Sequence, residues 1–329
     1  MSREWLGSGA IVALLIVFVP LSLLAGRVWL SPSTLWHALW LPGPQLSTLI
    51  VTQLRLPRAV LALLIGATLG LSGAVLQGVT RNPLAEPGLL GVSTGAALGA
   101  VIAIYFGLAN HWAMAAPLLG LVGALAAGLL TFVLGSGGGT ISLILAGAAV
   151  SALGAAGISL ALNLAPNPLA ANEITTWLLG SLADRSWLQV LLILPFVVSG
   201  GLLLVLTAHA LDALALGELQ ARSLGINLRR IHLLALFGTA LAVGACTAVS
   251  GVVGFVGLVA PHLVRPLVGH QPSRVLLPAT LLGALLLLGA DIATRLIRFG
   301  PELQLGVFTS LIGTPFFFWL VVRLRKTAP

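Results

Sequence analysis

Few side chains in this sequence could carry covalent chemistry. Lys326 is the only lysine, and no Gly-x-x-x-x-Gly precedes it. A phosphate-binding loop of that type puts its lysine on the phosphates, so the chain has no such route to ATP hydrolysis. Cys246 is the one cysteine, which rules out an intrachain disulfide and a Cys-based metal cluster. His37, His111, His209, His232, His262 and His270 are scattered without metal-ligand spacing. Gly70-Leu71-Ser72-Gly73 has the Gly-x-Ser-Gly look of a serine protease buried in a bilayer, with His262 as a conceivable base. The plainer reading is that Ser72 packs among small residues, continuing a Gly66-x-x-x-Gly70 contact surface. An ion-coupled transporter needs ionisable groups in mid-membrane. Here Glu86 and Asp291 fall near the ends of apolar segments, Asp212 and Glu218 fall in a polar loop, and no acidic relay is visible.

The elements that would position these residues are apolar. Of 329 residues 58% are hydrophobic and 7% charged, and the mean hydropathy is +1.10. A soluble domain keeps about a quarter of its residues charged to wet its surface. Lipid tails solvate an apolar exterior, so a bilayer removes that need. The 39 glycines fit the same setting, because small residues let membrane helices approach closely. A net charge of +8 does not point to nucleic acid, since the cations stand singly or in short groups at the ends of apolar segments.

A membrane helix needs about 20 mainly apolar residues. Segments at 6–26, 57–79, 89–108, 112–134, 142–162, 187–208, 231–250, 252–267, 275–296 and 305–322 meet or approach this, which predicts an all-α polytopic chain of ten spans in a single domain, 1–329. The first carries only Arg3 in front and no small-x-small cleavage site behind, so it reads as an uncleaved helix. The eighth is broken by Gly251, Gly254 and Gly257 and is not expected to span as a straight helix. With ten spans both termini share one side. If that side is cytoplasmic, Arg3, Arg81, Arg222, Arg229, Arg230, Arg265, Arg274, Arg323, Arg325 and Lys326 lie inside, and Arg27, Arg55, Arg58, Arg185, Arg295 and Arg298 lie outside. The excess favours cytoplasmic termini.

The most informative hydrophilic stretch is 209–230. Leu214, Leu216, Leu219, Ala221 and Leu224 alternate with polar residues, and Gly217 and Gly225 can divide it into two short helices. It is either an interfacial amphipathic loop or a docking element for a cytoplasmic partner. Glu218, Ala221 and Gly225 reproduce the Glu-x-x-Ala-x-x-x-Gly pattern through which permeases of ATP-binding-cassette (ABC) importers contact their ATPases. Asn82-Pro-Leu-Ala-Glu-Pro-Gly-Leu-Leu-Gly91-Val-Ser-Thr-Gly-Ala96 resembles the signature of the FecCD-type permeases, which import vitamin B12, haem and ferric siderophores. Similar blocks follow in family order: Arg55-Leu-Pro-Arg58, Leu145-Ala-Gly147, Leu214-Ala-Leu-Gly-Glu218, Gly254 to His262, Leu276-Leu-Pro278, Ala290-Asp291 and Gly313-Thr-Pro-Phe316. One departure is Glu302-Leu-Gln304-Leu-Gly306, where the family commonly has a proline at the third place; its loss should loosen the start of the last helix.

The resemblance implies a type II ABC importer permease: ten spans per subunit, a second permease copy around a central pore, two ATPases that use ATP and magnesium, and an extracytoplasmic substrate-binding protein. It implies no enzyme activity and no cofactor for this chain, and a multi-pass place in the cell (inner) membrane, in contact with lipid. Leu216, Gly217, Glu218, Ala221 and Gly225 would dock the ATPase. Arg55, Arg58 and Arg295 would receive acidic residues of the binding protein. Thr140, after Gly135-Ser-Gly-Gly-Gly139, falls where relatives place a cytoplasmic gate. Asn82, Pro83, Glu86, Pro87, Gly91, Pro261 and His262 read as a structural signature: the prolines prevent a continuous helix, the glycines allow tight packing, and Asn82 can satisfy backbone groups freed by the break. The purified chain alone is expected to show no ATPase activity; turnover by a preparation holding only this polypeptide would contradict the reading.

Overall fold

In a computed structural model, residues 3–26, 28–41, 43, 45–297 and 303–327 are described, and all regular structure among them is helical. Helix α1 (Arg3–Leu24) is followed by a short α2 (Pro32–Trp40). Helix α3 (Leu46–Leu49) runs through a π-helical stretch, Ile50–Arg55, into α4 (Leu56–Thr80). A 3-10 turn, Pro87–Leu90, leads into α5 (Val92–Tyr105), the four-residue α6 (Leu108–His111), α7 (Ala115–Gly135) and α8 (Gly139–Asn163). Then come α9 (Pro168–Leu178), α10 (Trp187–Val205), the paired short helices α11 (Ala208–Ala215) and α12 (Glu218–Ser223), and α13 (Leu228–Ser250). Helices α14 (Val256–Val264), α15 (Pro272–Leu296) and α16 (Leu305–Thr327) complete the chain.

All ten expected segments are helical, but only eight stretches among the described residues are long and apolar enough to cross a membrane. The other two are α5, with 14 residues, and α14, with 9. At 1.5 Å per residue, α5 covers about 21 Å of the ~30 Å hydrocarbon core. The local causes are in the sequence. Pro87 opens a separate 3-10 turn, and Gly91 at φ +78° ends it before α5 begins. Gly251 at φ +72° stops α13, and Phe255 at φ +67° precedes α14, with non-helical backbone between them.

Two differences from the sequence expectation matter. The second span begins at Leu46, not at 57, because the helix continues outward through the π-helical stretch. A π stretch disturbs the regular bonding of the backbone, and the Thr52 carbonyl there accepts from Trp187 Nε1 at 2.9 Å. Helices α2 and α9 were not anticipated; both begin with a proline behind a Ser or Asn cap, Ser31 and Asn167.

Glycine governs the packing. A Cβ on Gly66 or Gly70 would overlap the backbone carbonyls of Gly283 and Ala279, so α4 and α15 run antiparallel with their main chains in contact. Gly95 and Gly123 do the same for α5 and α7, and Gly200 and Gly238 for α10 and α13. Ser72 is buried and its hydroxyl donates to the Thr68 carbonyl one turn back, at 2.7 Å. His262 stacks edge-on against Phe316, with ring centroids 5.7 Å apart. Neither side chain hydrogen-bonds the other, so the protease arrangement is not built.

The bundle has two ends. One holds α11 and α12 and is called the loop end. The other, the rim end, gathers the exit of α1, the entry to α4, residues 183–185 and the exit of α15 around one cavity. A bulky side chain at a backbone contact should be costly. Gly70→Val is expected to destabilise the detergent-purified chain by about 1–3 kcal/mol through overpacking. Gly201→Ala, whose Cβ would find its nearest neighbour at 3.9 Å, should not lower the unfolding temperature. Equal midpoints for the two variants would contradict the packing account.

Candidate functional site

At the rim end, two arginines share one task and a third pairs with a buried acid. Helix α1 has no basic residue in its last turn, although a helix leaves its last four carbonyls unpaired at the negative end of its dipole. Arg55 supplies donors from the π-helical stretch: Nη1 to the carbonyls of Leu23 and Leu24, both 2.8 Å, and Nη2 to Val28 at 2.6 Å. Arg295 supplies them from α15: Nη1 to the carbonyls of Ser22 and Ala25 at 2.9 and 3.0 Å, and Nη2 to the Ser22 hydroxyl at 2.7 Å. Asp291, fully buried, accepts from Arg58 Nε at 2.8 Å. Its second oxygen lies 2.8 Å from Arg295 Nη2, in the geometry of an ion pair more than of a directed hydrogen bond. Arg55 and Arg295 are therefore buried, and both hold α1.

These arginines border a cavity of about 800 Å³ that also takes in Asp184 and Arg185. Arg185 Nε is buried and meets no acceptor, and burial pulls this guanidinium below its usual pKa against the opposing pull of Asp184. Sequence reasoning gave the Asp184–Arg185 pair no role. Its signal was there: two charges side by side in a connection between apolar segments. Arg298 lies outside the described residues.

At the loop end, Gly217 at φ +117° separates α11 from α12. Gly225 at φ +83° closes α12 in a Schellman arrangement, with Gly225 N–H on the Arg222 carbonyl at 2.9 Å and Ile226 N–H on Ala221 at 3.0 Å. Ala221 is buried. Leu216, Leu219 and Leu224 are 64%, 77% and 63% exposed, an apolar face with nothing of this chain against it. Leu219 and Leu224 alternate with polar residues in the sequence but were not singled out for docking.

The two acids of this loop point inward. Asp212 accepts from the Ser273 N–H at 2.9 Å, the Ser273 hydroxyl at 2.7 Å and Gln271 Nε2 at 2.8 Å. It caps α15, whose own N-cap Gln271 offers no side-chain bond. Burial works against its ionisation, but these hydrogen bonds outweigh it and hold the carboxyl below the usual range. Glu218 Oε1 accepts from the Thr140 hydroxyl at 2.6 Å and from its N–H at 3.3 Å, with Arg81 Nη2 at 3.8 Å. The Thr140 hydroxyl holds this carboxyl below its usual pKa. The gate candidate and a docking candidate are thus in direct contact.

The 82–91 corner is built from backbone. The Leu84 N–H donates to Asn82 Oδ1 at 2.9 Å, and Glu86 turns its carboxyl toward the Phe255 N–H at the start of α14. Pro83 lies in the turn and Pro87 opens the 3-10 segment. Thr131 and Ser151 donate to the Leu90 and Gly88 carbonyls, tying the corner to α7 and α8. Pro261 lies inside α14 next to His262. The start of α16 is held despite Gln304: the N–H groups of Leu305 and Gly306 reach the carbonyls of Gly180 and Leu179 at 2.8 and 3.1 Å. At the rim, Asp291→Asn would leave two guanidiniums facing a neutral amide, and breaking a buried pair from one side costs about 3–5 kcal/mol. The variant should unfold at a clearly lower temperature in detergent; an unchanged midpoint would show the pair to be idle.

The model of the FecCD transport family matches residues 14–323. The hemin transport system permease protein HmuU of Yersinia pestis is 38% identical over 328 residues, covering 97% of this chain and 96% of its own. The vitamin B12 import system permease protein BtuC of Vibrio cholerae is 40% identical over 319 residues, covering 95% and 92%. A solved structure, described as an inward-facing conformation of a metal-chelate type ABC transporter, superposes with a TM-score of 0.83 at 32% identity, covering 96% of this chain and 98% of that one. An all-helical membrane chain matched along nearly its whole length in sequence and in shape belongs to the FecCD transport family.

Proposed function

We propose that this chain is the membrane-spanning permease subunit of an ABC importer for a metal chelate, of the class of vitamin B12, haem or a ferric siderophore. A substrate-binding protein delivers the cargo at the rim end. Two ATPase subunits act at the loop end and drive alternating access in a pair of permease copies, identical or closely related. The loop end and both termini face the cytoplasm, and the rim faces outward from the cell (inner) membrane. The observation that carries this reading is the full-length similarity to permeases named for hemin and for vitamin B12.

The geometry supports a division of labour. Exposed Leu216, Leu219 and Leu224 offer the ATPase an apolar face, which Gly217, Ala221 and Gly225 shape. At the rim, hydrogen bonds to carbonyls do not neutralise charge. The guanidiniums of Arg55, Arg58, Arg185 and Arg295 stand against two carboxylates, Asp184 and Asp291, so the cavity keeps a positive field that steers acidic lobes. Arg55 and Arg295 supply field, and Arg58 and Arg185 supply contact.

Proteoliposomes holding the chain, its ATPase and its binding protein should take up cobalamin or hemin only with ATP and magnesium. Uptake by the chain alone on an ion gradient would overturn the proposal. Leu219→Asp or Gly225→Pro should leave the permease folded and strip the ATPase during co-purification; undiminished ATPase would make the loop merely interfacial. Arg185→Glu should weaken binding-protein docking by about tenfold at low salt, with the difference shrinking as salt rises. Affinity that ignores both the variant and the salt would remove the rim from docking.

A further inference from the structure

The contact between Glu218 and Thr140 has a mechanical consequence. Helix α8 begins at Gly139 behind Gly138, which provides no side-chain cap. Its first amide groups need an acceptor, and a carboxylate there also meets the positive end of the dipole. That acceptor comes from another element, α12. Gly139, at φ +71°, lets it approach: a Cβ at this position would stand 3.1 Å from Glu218 Oε2.

Asp212 makes the matching contact from α11, but to a different kind of helix. Its target α15 is locked to α4 by the Gly66–Gly283 contact and to α1 by Arg295. Helix α8 is held at mid-length, where Gly147 meets the Leu89 carbonyl and Ser151 donates to the Gly88 carbonyl, whereas Ile141 in its first turn is 74% exposed. Between the two acids lies Gly217, at a φ of +117° that other residues rarely adopt.

We propose that α12 is a lever pivoting at Gly217, with α11 anchored to the rigid α15 through Asp212 and Glu218 moving the first turn of α8. Force on Leu219 and Leu224 then reaches Thr140 through one carboxylate. Glu218 is a positioning residue for the α8 end and is not a contact residue for the partner. This rests on the reading that an ATPase docks at the loop end.

Two measurements separate the lever from that reading. In proteoliposomes with ATPase and binding protein, tested with cobalamin and with hemin, Thr140→Val removes the hydroxyl at nearly constant volume. It should keep the ATPase bound and hydrolysing while cargo moved per ATP falls about fivefold or more, the size of one lost hydrogen bond. Thr140→Ser should restore the ratio to within about twofold, and Glu218→Ala, which takes the acceptor from both the hydroxyl and the N–H of Thr140, should lower it at least as far as Thr140→Val does. An unchanged ratio in Thr140→Val, or a ratio in Glu218→Ala above that of Thr140→Val, overturns the lever. Hydrogen–deuterium exchange on the purified chain needs no partner. Glu218→Ala should speed exchange in the first turn of α8 about tenfold and leave the first turn of α15 unchanged. No change in α8 defeats the lever even if ATP-driven uptake is intact, whereas absent uptake with faster exchange in α8 defeats only the transport reading.

Discussion

A helix that ends in or near a bilayer must find partners for the backbone groups its own turns leave open, since lipid offers none. In this chain several such ends are closed from elsewhere. The carbonyls leaving α1 are met by Arg55 and Arg295. The amides opening α15 and α8 are met by Asp212 and Glu218, and those opening α16 by the carbonyls of residues 179 and 180. The signs agree with the dipole throughout, cations at a C-terminus and carboxylates at N-termini. With 16 basic and 8 acidic residues in all, the chain places several of its few charges where they join one helix to another.

The glycine contacts explain why these joints transmit position. Lipid tails solvate leucine as well as protein does, so helices in a membrane hold together by close packing. Main chain against main chain at Gly66, Gly70 and Gly283 makes α4 and α15 a single body. The rim arginines attach α1 to that body, and Asp212 attaches the loop to it. Against this frame, the start of α8 is joined to the loop by the Glu218 carboxylate.

The sequence was most legible where composition alone decides. Long apolar segments identify the eight full-length spans, and the glycines around 251–257 announce that the eighth segment does not span as a straight helix, whereas the third, 89–108, reads as a span and forms only the 14-residue α5 because Pro87 and Gly91 delay its start. Helices α2 and α9 were not legible, because 9 and 11 residues of mixed polarity match neither a span nor a clear amphipathic pattern. The family pattern picked out Arg55, Arg295 and Glu218, but not where they point. An arginine at a span end reads as a surface charge, and its real acceptors, the carbonyls of Ser22 to Val28, belong to a backbone that carries no sequence signal. In the same way the pattern around Glu218 is visible in one dimension, whereas Thr140 comes beside it only when α8 and α12 meet.

In the proposed topology the two charge clusters lie on opposite faces of one membrane, and sidedness tests this most directly. Cys246 is buried and should stay silent toward a membrane-impermeant maleimide, so single cysteines can be read against it. Asp184→Cys reports the exposed rim and Arg222→Cys the exposed loop end. In intact cells stripped of any outer envelope, the rim cysteine should label at once and the loop cysteine only after the membrane is opened. Labelling of both from the same side would contradict the account.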